Sequence, residues 1–221
     1  MERHVLVVLP HPDDEAFGVG GLIAQYSKKG IPVTYACATL GEMGRNMGSP
    51  PIANRESLRM LRKTELQEAC SVLGINDLRM LGFRDKTLEF EDEAKLVNSI
   101  KAVIDDVNPS MIITHYPGHG VHPDHDACGL ATVKAAKKIK GDNRPRVLGH
   151  AISKNRFEVL GNPTFTADVN DVFDIKVNAL KAHRTQTEGM IKRYNETKEK
   201  QEEFKKWFGT ELFWDIDVDK F

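Results

Sequence analysis

A run from His4 to Leu9, apolar from Val5 onward and β-branched at Val5, Val7 and Val8, stops at Pro10. An apolar run without polar alternation suits a strand buried on both faces, which places it inside a parallel sheet. Parallel strands need crossover helices between them, and the sequence supplies them in turn. A helix is expected from Glu15 to Lys29, ended by Gly30 with Pro32 beyond, then a strand from Val33 to Thr39 and a loop from Leu40 to Pro51. Asn54 is expected to cap a helix running to Leu73 and ending at Gly74. A strand at 78–81, a helix at 91–106, a buried strand at 110–114, a loop at 115–120 and a helix at 123–138 follow. Weaker strand signals lie at 146–153 and 164–169, and helical signals at 173–187 and 190–206. This alternation predicts one α/β domain over residues 1–221: a Rossmann-like three-layer sandwich with a mostly parallel central sheet.

Composition narrows the function. The 221 residues carry 31 basic and 32 acidic side chains, a formal net charge of -1, so charge gives no reason to expect nucleic acid or an anionic membrane as partner. No segment reads as a membrane span, and the first residues lack the long apolar stretch of a signal peptide. Cys37, Cys70 and Cys128 are odd in number and far apart, which argues against a disulfide framework or a thiolate zinc knuckle. Buried, reduced thiols and a cytoplasmic location are the expectation. Gly18-Val19-Gly20-Gly21 does not complete a dinucleotide fingerprint, and no Walker motif is present.

In open α/β sheets, ligands gather beyond the carboxyl ends of the strands. Two segments at such ends are dense in metal donors: His11-Pro12-Asp13-Asp14-Glu15 and His122-Pro123-Asp124-His125. Each holds a histidine three residues before another donor, and each proline restricts the chain beside them. Either segment alone could merely place acids at the positive end of a helix. Together they supply two histidines and an aspartate for a catalytic zinc, with a spare carboxylate for proton transfer. Spacing leaves open which aspartate and which histidines would bind the ion.

These two motifs resemble those of the PIG-L/LmbE-like zinc N-deacetylases. Thr39-Leu40-Gly41-Glu42, Arg62-x-x-Glu65 with Ala69 and Leu73-Gly74, and Ala182-His183-x-x-Gln186 resemble further elements of that family in order and spacing. Within it, length and pattern are similar to the bacillithiol-biosynthesis deacetylases, which act on N-acetylglucosaminyl malate. The resemblance implies zinc held by His11, Asp14 and His125. It implies Asp13 as general base and later acid, and a protonated His122 facing the carbonyl oxygen. The substrate implied is a small N-acetylglucosaminide, and a homo-oligomer is implied as well.

Arg55, Arg62 and Glu42 are candidates for contact with the substrate, Arg55 with a malate carboxylate. The plainer alternative for Arg62 is an exposed ion pair with Glu65, one helical step away. His183 reads as a brace behind the site. Tyr116 is a candidate to hydrogen-bond the intermediate, while Gly120 stands two residues before His122, near where some relatives carry a tyrosine. His4, His115, His119 and His150 read as structural or exposed. Phe204 and Trp207 should pack inward or onto another subunit. Two other functions fit the same residues: an amidase acting on glucosaminyl thiol conjugates, and a non-catalytic metal- or carbohydrate-binding protein.

Overall fold

A computed structural model describes residues 2–221, apart from the side chain of residue 142. Seven strands form one sheet: β1 (Val5–Leu9), β2 (Val33–Cys37), β3 (Asp77–Met80), β4 (Met111–His115), β5 (Arg146–His150), β6 (Phe165–Asp168) and β7 (Thr210–Asp215), in the order β3-β2-β1-β4-β5-β7-β6. The first five are parallel, while β7 runs antiparallel to both β5 and β6. Successive side chains of a strand point to opposite faces. Accordingly Val5, Val7 and Leu9 enter one core and Leu6 and Val8 the other. Helices α1 (Gly20–Lys28), α2 (Leu58–Leu73) and α6 (Phe173–Ala182) cover the first face. Helices α3 (Glu93–Val107) and α4 (Pro123–Lys137) cover the second. The α/β three-layer expectation holds.

β1 pairs with β2 on one side and with β4 on the other. The winding therefore reverses between β1 and β4, and the crevice at their carboxyl ends is where such sheets bind ligands. Both donor-rich segments emerge there, one after Leu9 and the other after His115.

Several boundaries differ from the sequence expectation. Residues 15–19 form a wider π turn before α1 begins at Gly20. Asn54 accepts the amides of Glu56 and Ser57 and closes a turn, so α2 starts only at Leu58. The helix expected over 173–187 breaks at His183, and α7 (Arg184–Tyr194) takes a new direction. Thr197 caps a separate α8 (Lys198–Phe208), which interrupts the helix expected at 190–206. The short α5 (Arg156–Leu160) and the whole of β7 escaped the pattern reading. In β7 the reason is visible: the charged Glu211 occupies a buried position, which disguises the alternation.

Glu211 is buried because it is fully engaged. Its oxygens accept the Gly21 and Leu22 amides at 2.8 and 2.9 Å, and Lys176 Nζ of α6 lies 2.5 Å from Oε1. The C-terminal strand thus satisfies the first amides of α1, which donate to nothing within the helix itself. Lys176→Met would leave Glu211 buried without its counter-charge. The expected loss is about 3–5 kcal/mol in urea unfolding, and a loss under about 1 kcal/mol would show that the pair is dispensable.

Candidate metal centre

Pro10 ends β1 and sends His11 into the crevice. The His11 carbonyl accepts the Tyr35 hydroxyl at 3.0 Å, and the His11 amide donates to Asp14 Oδ2 at 2.9 Å. Across the crevice, Gly120 lets the second loop fold tightly onto α4, since a Cβ there would lie 2.4 Å from that of His125. The Gly120 carbonyl lies 2.8 Å from His125 Nδ1. That acceptor keeps the proton on Nδ1 and turns Nε2 towards His11 and Asp14.

The donor atoms converge. His11 Nδ1 lies 3.2 Å from His125 Nε2 and 3.4 Å from Asp14 Oδ2, and His125 Nε2 lies 3.3 Å from Asp14 Oδ1. Ligands about 2.0–2.1 Å from a tetrahedral ion would stand about 3.3 Å apart. Each spacing is near that of two ligands on one ion, with His11 and His125 meeting different oxygens of Asp14. His11, His122 and His125 also bring donor nitrogens within 4.8 Å of one another, as do the donors of Asp14, His115 and His125. His11 Nε2 faces away from this triangle, 3.2 Å from both Asp85 and Asp124. A carboxylate on the far nitrogen of a metal-binding imidazole fixes its tautomer and raises its basicity.

Asp124 is wholly buried, and its carboxylate also accepts the Lys86 and Leu88 amides at 2.7 and 3.1 Å. Burial pushes that carboxyl up, but His11 and the two amides outweigh it and hold it below its ordinary value. Asp124 belongs to the second donor-rich segment, and its position at the start of α4 also suits an acid. Asp85, which enters from the loop after β3, carried no sequence signal at all.

Asp13, next to Asp14 in the chain, has φ 108°, a left-handed conformation unusual for any residue but glycine. Arg62 of α2 donates to the Pro12 carbonyl and to Asp13 Oδ2, the latter at 3.0 Å. Burial raises the Asp13 carboxyl and Arg62 draws it back, leaving it at about 6. His122 caps α4: its Nδ1 accepts the Asp124 amide at 3.1 Å. Nδ1 is therefore unprotonated and the ring proton sits on Nε2, while burial lowers the pKa of the ring. Where the resemblance implies a protonated ring, that contact leaves Nε2–H as the donor of His122. A cleft of about 680 Å³ borders it, lined by Leu88, Leu96, Val121 and Leu130 among others.

A family model described as PIG-L, GlcNAc-PI de-N-acetylase, matches residues 6–136. The chain belongs to the PIG-L family. A relative from Bacillus subtilis (strain 168), named "Probable N-acetyl-alpha-D-glucosaminyl L-malate deacetylase 2", is 60% identical over 215 residues, 97% of either chain. N,N'-diacetylchitobiose deacetylase from Pyrococcus horikoshii superposes with a TM-score of 0.73 at 20% identity, over 98% of this chain and 85% of its own. The 4-carboxy-2-hydroxymuconate hydratase of Pseudomonas putida KT2440 reaches 0.72 at 17% identity, over 98% and 96%. A deacetylase and a hydratase sharing this shape show that the fold alone does not name the reaction.

Other residues of this PIG-L chain depart from expectation. Arg62 is buried, and its Nη1 donates to the Gly41 carbonyl at 2.9 Å, so its fork is spent on the protein and not offered to a ligand. Gly41 must be glycine, because a Cβ would fall 1.8 Å from that Nη1. Glu65 is not its partner: it accepts the amide and hydroxyl of Thr185 at 2.8 and 2.6 Å. Glu42 is half-buried and turned to the Asp85 amide at 3.2 Å, away from solvent. Arg55 is exposed and donates to the Gly44 carbonyl at 2.7 Å. Tyr116 packs on His119 and Phe221, and Trp207 is 76% exposed. Among the described residues, no helix is long and apolar enough to cross a membrane.

His115 is not exposed: it is buried and stacks on His125, with ring centroids 4.0 Å apart. His150 lies behind it, over Gly18, and its Nδ1 faces the Leu212 carbonyl at 3.2 Å. Burial, reinforced by His115, pushes the His150 imidazole from 6.5 down to about 3. Within that window the unfolded chain binds the extra proton, so stability falls as pH drops. His150→Gln keeps a donor for Leu212 without the titration. Urea unfolding of the metal-free proteins should show wild type losing up to about 1.4 kcal/mol per pH unit more than the variant below about pH 6.5. Parallel losses would contradict this account of His150.

Proposed function

We propose that this chain is a zinc-dependent N-deacetylase that converts N-acetylglucosaminyl malate to glucosaminyl malate and acetate in bacillithiol biosynthesis. One observation carries the chemistry: His11 Nδ1 and His125 Nε2 lie 3.2 Å apart, each within 3.4 Å of an oxygen of Asp14, the residue that follows Asp13 in the chain. The substrate is inferred from the 60% identity to the Bacillus subtilis relative over nearly all of both chains.

Zinc held by His11, Asp14 and His125 would supply Lewis acidity, both to acidify water and to polarise the acetyl carbonyl. Asp13, whose carboxyl is raised by burial and held by Arg62, is the group proposed to take a proton from the attacking water. The same carboxyl then returns the proton to the departing amine. Neutral His122 donates Nε2–H to the oxygen on which charge develops, a contribution of about 3 kcal/mol for a well-placed donor. Arg62 holds Asp13 in place, and Arg55 is the proposed partner of a malate carboxylate. The three buried, free cysteines accord with a reducing cytoplasm.

Metal analysis with acetate-release assays on N-acetylglucosaminyl malate, simpler N-acetylglucosaminides and a glucosaminyl thiol conjugate tests the reading. Turnover of the thiol conjugate in preference to the malate would overturn the substrate assignment. Asp13→Asn should keep one zinc per chain and lose about 10²–10⁴-fold in kcat; retained turnover would remove Asp13 from the mechanism. The two arginines should separate. Arg62→Lys is expected to lower kcat about 10–100-fold with little change in KM, and Arg55→Ala to raise KM about tenfold at unchanged kcat. Steady-state kinetics on both variants would reveal the opposite pattern if the roles are exchanged.

A further inference from the structure

Behind Asp13 lie Glu15 and His183, neither of which takes part in the steps above. Both are 0% exposed. Glu15 Oε2 accepts the Asp13 backbone amide at 3.0 Å, and Glu15 Oε1 lies 2.5 Å from His183 Nε2. On its other side, the Asp13 carbonyl accepts the amides of Ala16 and Phe17, both at 3.0 Å. The peptide groups flanking Asp13 are thus tied at both ends while its φ stands at 108°. A non-glycine residue persists in such a conformation only when its surroundings over-determine it.

His183 is itself fixed by its position at the break between α6 and α7. Its amide donates to Leu180, and its carbonyl accepts the amides of Gln186 and Thr187, each at 2.9 Å. Glu65 secures the start of α7 through Thr185. The imidazole makes a single polar contact, with Glu15, and its buried Nδ1 has no hydrogen-bond partner. A ring whose Nδ1 goes unpaired is not chosen for packing, and a hydrocarbon in its place would leave the buried Glu15 Oε1 without its partner. What the ring adds is one N–H aimed at Glu15.

We infer that His183 and Glu15 are a positioning pair: His183 orients Glu15, and Glu15 holds the Asp13 backbone in its left-handed conformation so that the Asp13 carboxylate faces the metal triangle. The inference rests on the reading of Asp13 as the proton-transfer group. Neither residue touches substrate. If the Asp13 amide were released, the backbone would be free to return to negative φ, which would carry Oδ2 out of its 3.0 Å contact with Arg62.

The test uses the full zinc-loaded chain with His183→Leu, which fills the space without a donor, and His183→Gln, which restores an N–H near the Nε2 position. His183→Leu should lower kcat about 10–100-fold with KM and zinc content unchanged, and His183→Gln should recover most of that loss. Glu15→Met should cost at least as much, and adding His183→Leu to it should cost nothing further, because His183 acts through Glu15. Exchange of the Asp13 amide, followed by NMR, should be at least about tenfold faster in His183→Leu than in wild type. That readout does not depend on turnover, so a protein inactive on every N-acetylglucosaminide would defeat the proposed function and leave this measurement standing. Wild-type kcat and unchanged Asp13 exchange in His183→Leu would overturn the pair. So would loss of zinc in proportion to loss of rate. If His183→Leu does not fold, Glu15→Met decides in the same way: a wild-type kcat there refutes the inference.

Discussion

The parallel pairing of β1 with β4 is the contact on which the rest depends. Val5 stands opposite Met111 and Val7 opposite Ile113, although more than a hundred residues separate them in the chain. That register brings the carboxyl ends of the two strands side by side where the sheet's winding reverses. The histidine loops leave from those ends, so their separation is set by a packed apolar core and not by the loops themselves. Both faces of β1 are buried, and a one-residue slip would exchange its two side-chain sets between the cores. The site inherits its precision from that constraint.

Around the crevice, charge is arranged in shells. Asp14 faces His11 and His125, while Asp85 and Asp124 stand behind His11. Burial disfavours a charged ring, yet the neighbouring acids outweigh it and raise the pKa of both His11 and His125. A divalent cation held by these rings would compete with protons for the same nitrogens, which would couple metal binding to proton release. Backbone strain is concentrated in the same loops, with Asp13 at φ 108° and the β-branched Val121 at φ 63°. Strain of this kind gathers where side chains must be aimed for function, and the surrounding bonds to Glu15 and Arg62 are what sustain it at Asp13.

The alternation of strands and helices was legible because apolar runs and 3.6-residue periodicity are local signals. It failed where a local signal was overridden. Glu211 hid β7 by carrying charge into the core to meet Lys176, and His183 broke an apparently continuous helix to reach Glu15. Arg62 and Glu65 have the spacing of a surface ion pair, yet each turns to a different partner inside the protein.

The residues of the two histidine motifs, and the position of each motif after a buried strand, were determined by the sequence alone. Only the tertiary structure decided which nitrogens of His11 and His125 face each other and Asp14, that Asp85 and Asp124 back His11, and that Arg62 turns to Asp13. The physical reason is distance along the chain. Donor types and periodicities are written in neighbouring residues, whereas a tautomer, an aimed carboxylate or a buried pair depends on groups that meet only when the sheet closes.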